Sequence, residues 1–370
     1  MKKELQKLSG LSESQFDTLN NLYPVKVSPY LFSQIKRSEA IAKQFLPSIE
    51  ELQKTLLSEE PFKGLLKSKI RGFERLYEDR VVLKLTSVCP SNCRICYRRK
   101  YVFAKEEIIT DEEIKEFIKF IKKDKKVRNV LLTGGSPLLL AHAKLEKVIK
   151  EVSKVPHIDQ IYFAIGRPIM GPHLITEKFA KMLAKYQKQD YKNSEKSLSV
   201  GVTVHINHPD ELTSEVLRSL NRLTSKGITV WTQTILLKGI NDNEKTITEL
   251  LKLFRVNNLI PYYLIHAMPL IGTDHFRTTV AKGLEIMKYI EKFSGHERPI
   301  YVIVPVGGKV QLSSNIKLKY KQINGKRYVV LNMPYKAKEF LSINNLKELP
   351  ENHFIGEGGF INVNYLDGEE

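Results

Sequence analysis

From about residue 80 onward, short apolar runs rich in Val, Ile and Leu alternate with longer stretches whose apolar residues recur at helical spacing. This rhythm is that of βα units around a parallel sheet. The β-type runs fall at 81–87, 129–133, 160–165, 199–204, 228–234 and 260–265, with a further one at 300–305. Helices are predicted at 110–123, 140–153, 174–187, 210–226 and 243–256. The 110–123 segment opens with a Thr110-x-x-Glu113 capping box, and Ile114, Phe117, Ile118 and Ile121 form one face.

The two ends follow other patterns. Residues 1–78 read as a helical lead-in, with helical spacing over 47–57 and a less regular stretch at 23–35. Residues 79–310 carry the βα rhythm. Residues 311–370 look like an appendage, in which runs at 316–321 and 326–331 flank Asn324-Gly325, a strong signal for a two-residue hairpin turn.

Of the 370 residues, 42% are hydrophobic, enough for a substantial core. No apolar run approaches the ~20 residues that cross a membrane. The opening Met-Lys-Lys-Glu-Leu-Gln-Lys lacks the apolar stretch of a signal peptide, so a cytoplasmic location is expected. The net charge of +18 is spread over most helices rather than gathered in one tail. A solvated, lysine-rich surface explains this better than a nucleic-acid footprint.

All three cysteines, Cys89, Cys93 and Cys96, lie in one Cys-x3-Cys-x2-Cys run directly after the first predicted strand. Soft thiolates select soft metals, and iron–sulfur clusters are normally held by four of them. Three leave one iron open to bind and activate a small molecule. Structural zinc wants a fourth ligand, and the nearest histidine, His142, is far along the chain. A disulfide would strand one cysteine, and three unreactive buried cysteines would not be expected to cluster.

Ordered motifs along residues 20–335 carry a family resemblance. They include Tyr23-Pro-Val-Lys-Val-Ser-Pro-Tyr30, Asp79-Arg80-Val81, Cys96-Tyr-Arg-Arg-Lys100 and Leu132-Thr-Gly-Gly-Ser-Pro-Leu138. Further along stand His205-Ile-Asn-His-Pro-Asp-Glu211, Gln233-Thr-Ile-Leu-Leu-Lys-Gly-Ile-Asn-Asp242, Asp274-His-Phe-Arg-Thr278 and Gly307-Gly-Lys309. Together they resemble the lysine 2,3-aminomutase family of radical S-adenosylmethionine (radical SAM) enzymes. The resemblance implies an α/β fold, a partial (βα)6 TIM-like barrel, holding a [4Fe–4S] cluster, S-adenosyl-L-methionine (SAM) and pyridoxal 5'-phosphate (PLP). It implies an isomerase that moves the α-amino group of an amino acid to its β-carbon. A flavodoxin- or ferredoxin-type electron donor and a homo-oligomer are expected with it.

The resemblance also assigns roles. Cys89, Cys93 and Cys96 hold the cluster. Gly134, Gly135 and Ser136 form the turn that meets the SAM amino group, although Ser136 stands where many relatives have an acid. Lys309 is the lysine that joins PLP. Arg80 and Tyr77 hold its phosphate, while a second family arginine falls on Leu76, beside Arg75. Arg98 holds the substrate α-carboxylate, with Arg99 beside it in solvent. His205, Asn207, His208 and Gln233 line the cofactor pocket. Two family aspartates that grip the distal ammonium of lysine fall on Met268 and at or near Ile303, so an uncharged or apolar substrate side chain is expected. The alternatives are a lysine aminomutase-like modifier linked to a translation elongation factor, and a non-catalytic cluster-binding protein.

Overall fold

The computed structural model describes residues 1–53, 57, 70–75, 77–102, 106–190, 197–293 and 295–369. Leu76 and part of the expected helical run 47–57 lie outside the described residues; within that run a 3-10 turn spans Ile49–Leu52.

The lead-in forms four short helices, α1 (Lys2–Ser9), α2 (Glu13–Leu22), α3 (Pro29–Ile35) and α4 (Glu39–Phe45). Ser12, Ser28 and Ser38 cap the last three, each accepting from a backbone amide of the first turn. Then comes β1 (Phe73–Arg75), a strand in a segment expected to be helical. Three residues are too few for a period to register in the sequence, and β1 exists because it pairs antiparallel with β2 (Arg80–Thr86).

From β2 the βα rhythm unfolds. α5 (Arg99–Val102) and α6 (Asp111–Lys123) precede β3 (Asn129–Gly134). Then follow α7 (His142–Val152), β4 (Gln160–Ala164), α8 (Glu177–Tyr186), β5 (Ser199–His205), α9 (Ser214–Thr224) and β6 (Thr229–Leu236). α10 (Glu244–Val256), β7 (Ile260–His266), α11 (Val280–Ile290), β8 (Ile300–Ile303) and β9 (Val310–Gln311) complete the sheet. Strands β2 to β8 are all parallel and lie in chain order, each beside the next. β9 closes the far edge antiparallel to β8. Sequential parallel order with helices outside is the layout of a partial TIM-like barrel. The helices bury the faces their spacing predicted: α6 buries Ile114, Phe117, Ile118 and Ile121, and its Thr110 box is formed on both sides.

The two ends of the sheet meet. The Tyr77 hydroxyl, in the β1–β2 turn, accepts a hydrogen bond from the Lys309 amide, just before β9, at 3.1 Å.

The appendage is more than a hairpin. β10 (Lys319–Ile323) and β11 (Lys326–Lys336) turn at Asn324 and Gly325, both at positive φ, as the sequence predicts. α12 (Ala337–Asn344), β12 (His353–Ile355) and β13 (Phe360–Leu366) follow, giving an antiparallel sheet in the order β10-β11-β13-β12. Val329, Leu331, Met333, Ile361, Val363 and Tyr365 bury its inner face in the core shared with the barrel. Among the described residues no helix is long and apolar enough to cross a membrane.

Candidate functional site

Two adjoining cavities, of about 150 Å³ and 330 Å³, lie inside the curl of the sheet. Arg80, Arg98, His205, Gln233 and Lys309 line both. Cys89, Cys93, Cys96, Gly134 and Gly135 line the larger; Tyr77, Met268 and Val304 line the smaller.

The cysteine loop leaves the C-terminal end of β2 and is stitched to the lead-in. Ser28 N donates to Ser91 Oγ at 2.9 Å, Asn92 N to Lys26 O at 2.8 Å, and Arg94 N to Gln44 O at 2.8 Å. Below it, Glu51 accepts from Arg94 Nε and Nη2, at 2.8 and 2.7 Å, and takes a third bond from Arg99 at 3.2 Å. All three side chains are buried. Arg99 therefore does not face solvent as expected; its guanidinium also donates to Gly272 O at 3.0 Å. The sequence hid this because Glu51 and Arg99 are far apart in the chain.

The donor set fits an iron–sulfur cluster: three thiols on one short loop, facing one cavity. Among the described residues no three His, Cys, Asp or Glu side chains are already gathered as a metal site. The hydrogen bond between Cys93 and Cys96 lowers the Cys93 thiol and raises the Cys96 thiol, with Arg167 and Arg99 favouring the Cys93 anion against the cost of burial. Burial pushes Cys89 up to about 12.

Gly134 and Gly135 line the cavity, but what forbids a side chain there is the cysteine loop's own root. A Cβ on Gly134 would stand 2.1 Å from Thr86 O, and one on Gly135 2.3 Å from Val88 O. The turn hydrogen-bonds the same backbone, Gly135 N to Thr86 O at 2.6 Å and Ser136 N to Val88 O at 2.7 Å. Its glycines lock it beneath the cysteines and expose backbone to the cavity. Ser136 itself is buried and lines neither cavity, because its backbone is taken up in that lock.

Arg98 donates to Thr133 Oγ1 and Gly134 O, each at 3.1 Å, and lies over the Tyr97 ring at 4.9 Å. Glu74 Oε2 stands 4.0 Å from it, while the other Glu74 oxygen holds Lys84 at 2.6 Å. Arg98 thus enters the cavity as a braced cation.

Lys309 extends its amine toward the Tyr263 ring, 5.2 Å from the centroid, and the Tyr77 ring, 5.9 Å away. Burial, then the charges of Arg80 and Arg98, lower it to about 8. The same burial, with Arg167, Arg98 and Lys309 nearby, lowers His205 to about 3, so its imidazole is neutral. A weakly basic amine and an arginine in one cavity fit a phosphorylated aldehyde such as PLP.

Other expected site residues lie elsewhere. Asn207 is fully buried in the turn after β5, where Gln44, Glu211, Ile235 and Asn241 use its polar groups. His208 caps the following turn through Asp210 N. Neither lines either cavity. Arg75 is drawn away by Asp124 at 2.5 Å. Ile303 points into the main core, and its neighbour Val304 lines the smaller cavity instead, beside Ile265 and Met268. A strand alternates its faces, so a one-residue offset exchanges core for cavity.

Sequence reasoning missed Glu74, Tyr162, Arg167, Trp231 and Tyr263, which all line a cavity. The available signal was alternation: Gln160, Tyr162 and Ala164 on β4, and Trp231, Gln233 and Ile235 on β6, share the inward face.

Strand ends, cysteine loop and cavity together define a radical SAM enzyme, and residues 83–251 match the Radical SAM superfamily. An L-lysine 2,3-aminomutase of Fusobacterium nucleatum is 32% identical over 82% of this chain and 71% of its own length. A glutamate 2,3-aminomutase of Clostridioides difficile is 30% identical over 76% of this chain and 65% of its own. The chain belongs to the radical SAM lysine 2,3-aminomutase family, and it is an isomerase that works with a [4Fe–4S] cluster and SAM. Among solved structures, methylornithine synthase is similar at 14% identity and a TM-score of 0.42, over 81% of this chain and 74% of that one.

Proposed function

We propose that this protein is a PLP-dependent 2,3-aminomutase acting on a free amino acid with an uncharged, apolar side chain. One observation carries this: Lys309, Arg80 and Arg98 line the same cavity as the three cysteines. When bound, SAM on the reduced cluster supplies a carbon radical, and PLP supplies the means for nitrogen to move between adjacent carbons.

The chain's own residues bind, orient and shield. Cys89, Cys93 and Cys96 hold the cluster, and the locked Gly134–Gly135 turn offers backbone to SAM. Arg80 receives a phosphate, and Tyr77 keeps the Lys309 loop beside it. Lys309, lowered to about 8, carries roughly a tenth of its amine neutral at pH 7, far more than an ordinary lysine. Arg98, braced from three sides, receives the α-carboxylate. The side chain of the amino acid then meets Ile265, Met268 and Val304, an apolar group. Burying an ammonium there would cost on the order of several kcal/mol.

The test is an anaerobic assay of cluster-reconstituted protein with SAM, PLP and a strong reductant, each amino acid supplied separately. A β-amino acid from an apolar substrate is expected. Met268→Asp should shift preference toward lysine. β-Lysine as the main wild-type product would overturn the side-chain assignment, and SAM cleavage without any β-product would overturn the aminomutase itself.

A further inference from the structure

We infer that Trp231, with Tyr162 set edge-on against it, is the wall on which the pyridine ring of PLP lies; this rests on Lys309 and Arg80 being the holders of that cofactor. Trp231 is the one tryptophan of the chain. Its ring meets that of Tyr162 at 4.5 Å between centroids and 81° between planes, the edge-to-face geometry aromatic rings prefer. Between β4 and β6 the intervening strand supplies Gly201, where a Cβ would stand 2.6 Å from the Trp231 ring and 2.8 Å from that of Tyr162. The missing side chain is what lets the two rings meet over β5.

A pair that merely filled the barrel would be sealed from the cavity. Here both rings line the larger cavity together with Arg80 and Lys309, and Trp231 is only half-buried. The Tyr162 hydroxyl is engaged by the Gln160 amide, so its polar end is satisfied and its ring is left for packing.

Arg80 pairs with Asn129, and Asn129 with Gln160, so Tyr162 lies two residues further along its strand than Arg80 does on β2. Trp231 pairs with Thr203, and Thr203 with Ala164, the last residue of β4. The two rings thus extend from the Arg80 side of the cavity toward the strand ends, where the cysteine loop and Gly134 stand. A ring tethered between Lys309 and Arg80 lies against this wall, and the adenine of SAM is the competing occupant.

The test titrates PLP into the full-chain protein and follows tryptophan emission alongside borohydride fixation on Lys309, read by peptide mass. Emission should fall in step with the label. Trp231→Leu should still be labelled but with half-saturation roughly two- to tenfold weaker. Trp231→Phe, which keeps a ring, should lose less. This affinity arm separates contact from energy transfer at a distance. A labelled Lys309 with unchanged emission, or a Trp231→Leu protein that titrates like wild type, overturns the wall and leaves the Lys309 assignment standing. Emission that responds to S-adenosylhomocysteine and not to PLP also overturns it, giving the wall to adenine. Absence of label on Lys309 overturns both.

Discussion

Lys309 shows how one residue's surroundings set its chemistry. Its amine is lowered from 10.5 to about 8 by burial and by Arg80 and Arg98. Only the neutral amine attacks an aldehyde, so the rate of PLP capture should climb through pH 8 and level off above it. An unperturbed lysine would keep gaining toward pH 10.5. A stopped-flow pH profile checks this; a midpoint above 10 would show that Lys309 is exposed or is not the acceptor. The sign for stability is the reverse of that for a paired lysine. The folded state resists protonating this group, so its cost is full below pH 8. That cost is relieved as pH rises from 8 toward 10.5, because there only the unfolded chain holds the proton. Trp231 and Met268 make the same point without charge: each matters through the face of the strand or loop it occupies.

At the scale of elements, the lead-in is part of the site. Glu51 ties Arg94 and Arg99, on either side of Cys96, to the segment after α4. Glu51→Gln leaves two buried guanidinium groups without a counter-charge, and removing one partner of a buried pair costs about 3–5 kcal/mol. The variant should melt earlier and take up less iron on reconstitution. Normal iron content in a destabilised protein would show that the tie serves the fold alone. Strands β2 to β8 and helices α6 to α10 were legible because each announces itself over four to thirteen residues by a period of 2 or 3.6, whereas α11 and the two-residue β9 were not read from the sequence. The cysteine run was legible because its chemistry is local. The Glu51 tie, β1 and the pairing of β11 with β13 were not, because each joins residues that sequence distance separates and no local period marks. Asn207 and His208 failed for a related reason: they sit at a strand end, as a site residue should, yet the turn there uses their polar groups for its own closure.

At the scale of the molecule, the sheet runs in order from β1 to β9, and among the described residues its outer strands are not paired to each other. Arg80 begins β2 near one lip; Lys309 precedes β9 at the other, and Tyr77 touches it across the gap. A ligand held by both Arg80 and Lys309 stabilises the folded protein by mass action, by about 2.7 kcal/mol at a hundredfold excess over Kd. PLP should therefore raise the melting temperature of wild type and leave Lys309→Ala nearly unmoved; equal gains in both would place the cofactor elsewhere.

That join has a mechanical meaning. A closed hoop bears load all round, whereas an open one yields first at its gap. The line along which this protein can most easily be prised apart is also the line where its most demanding chemistry is assembled. A cofactor held from both lips would work as a buckle across that gap, adding its own grip to the hydrogen bond that spans it.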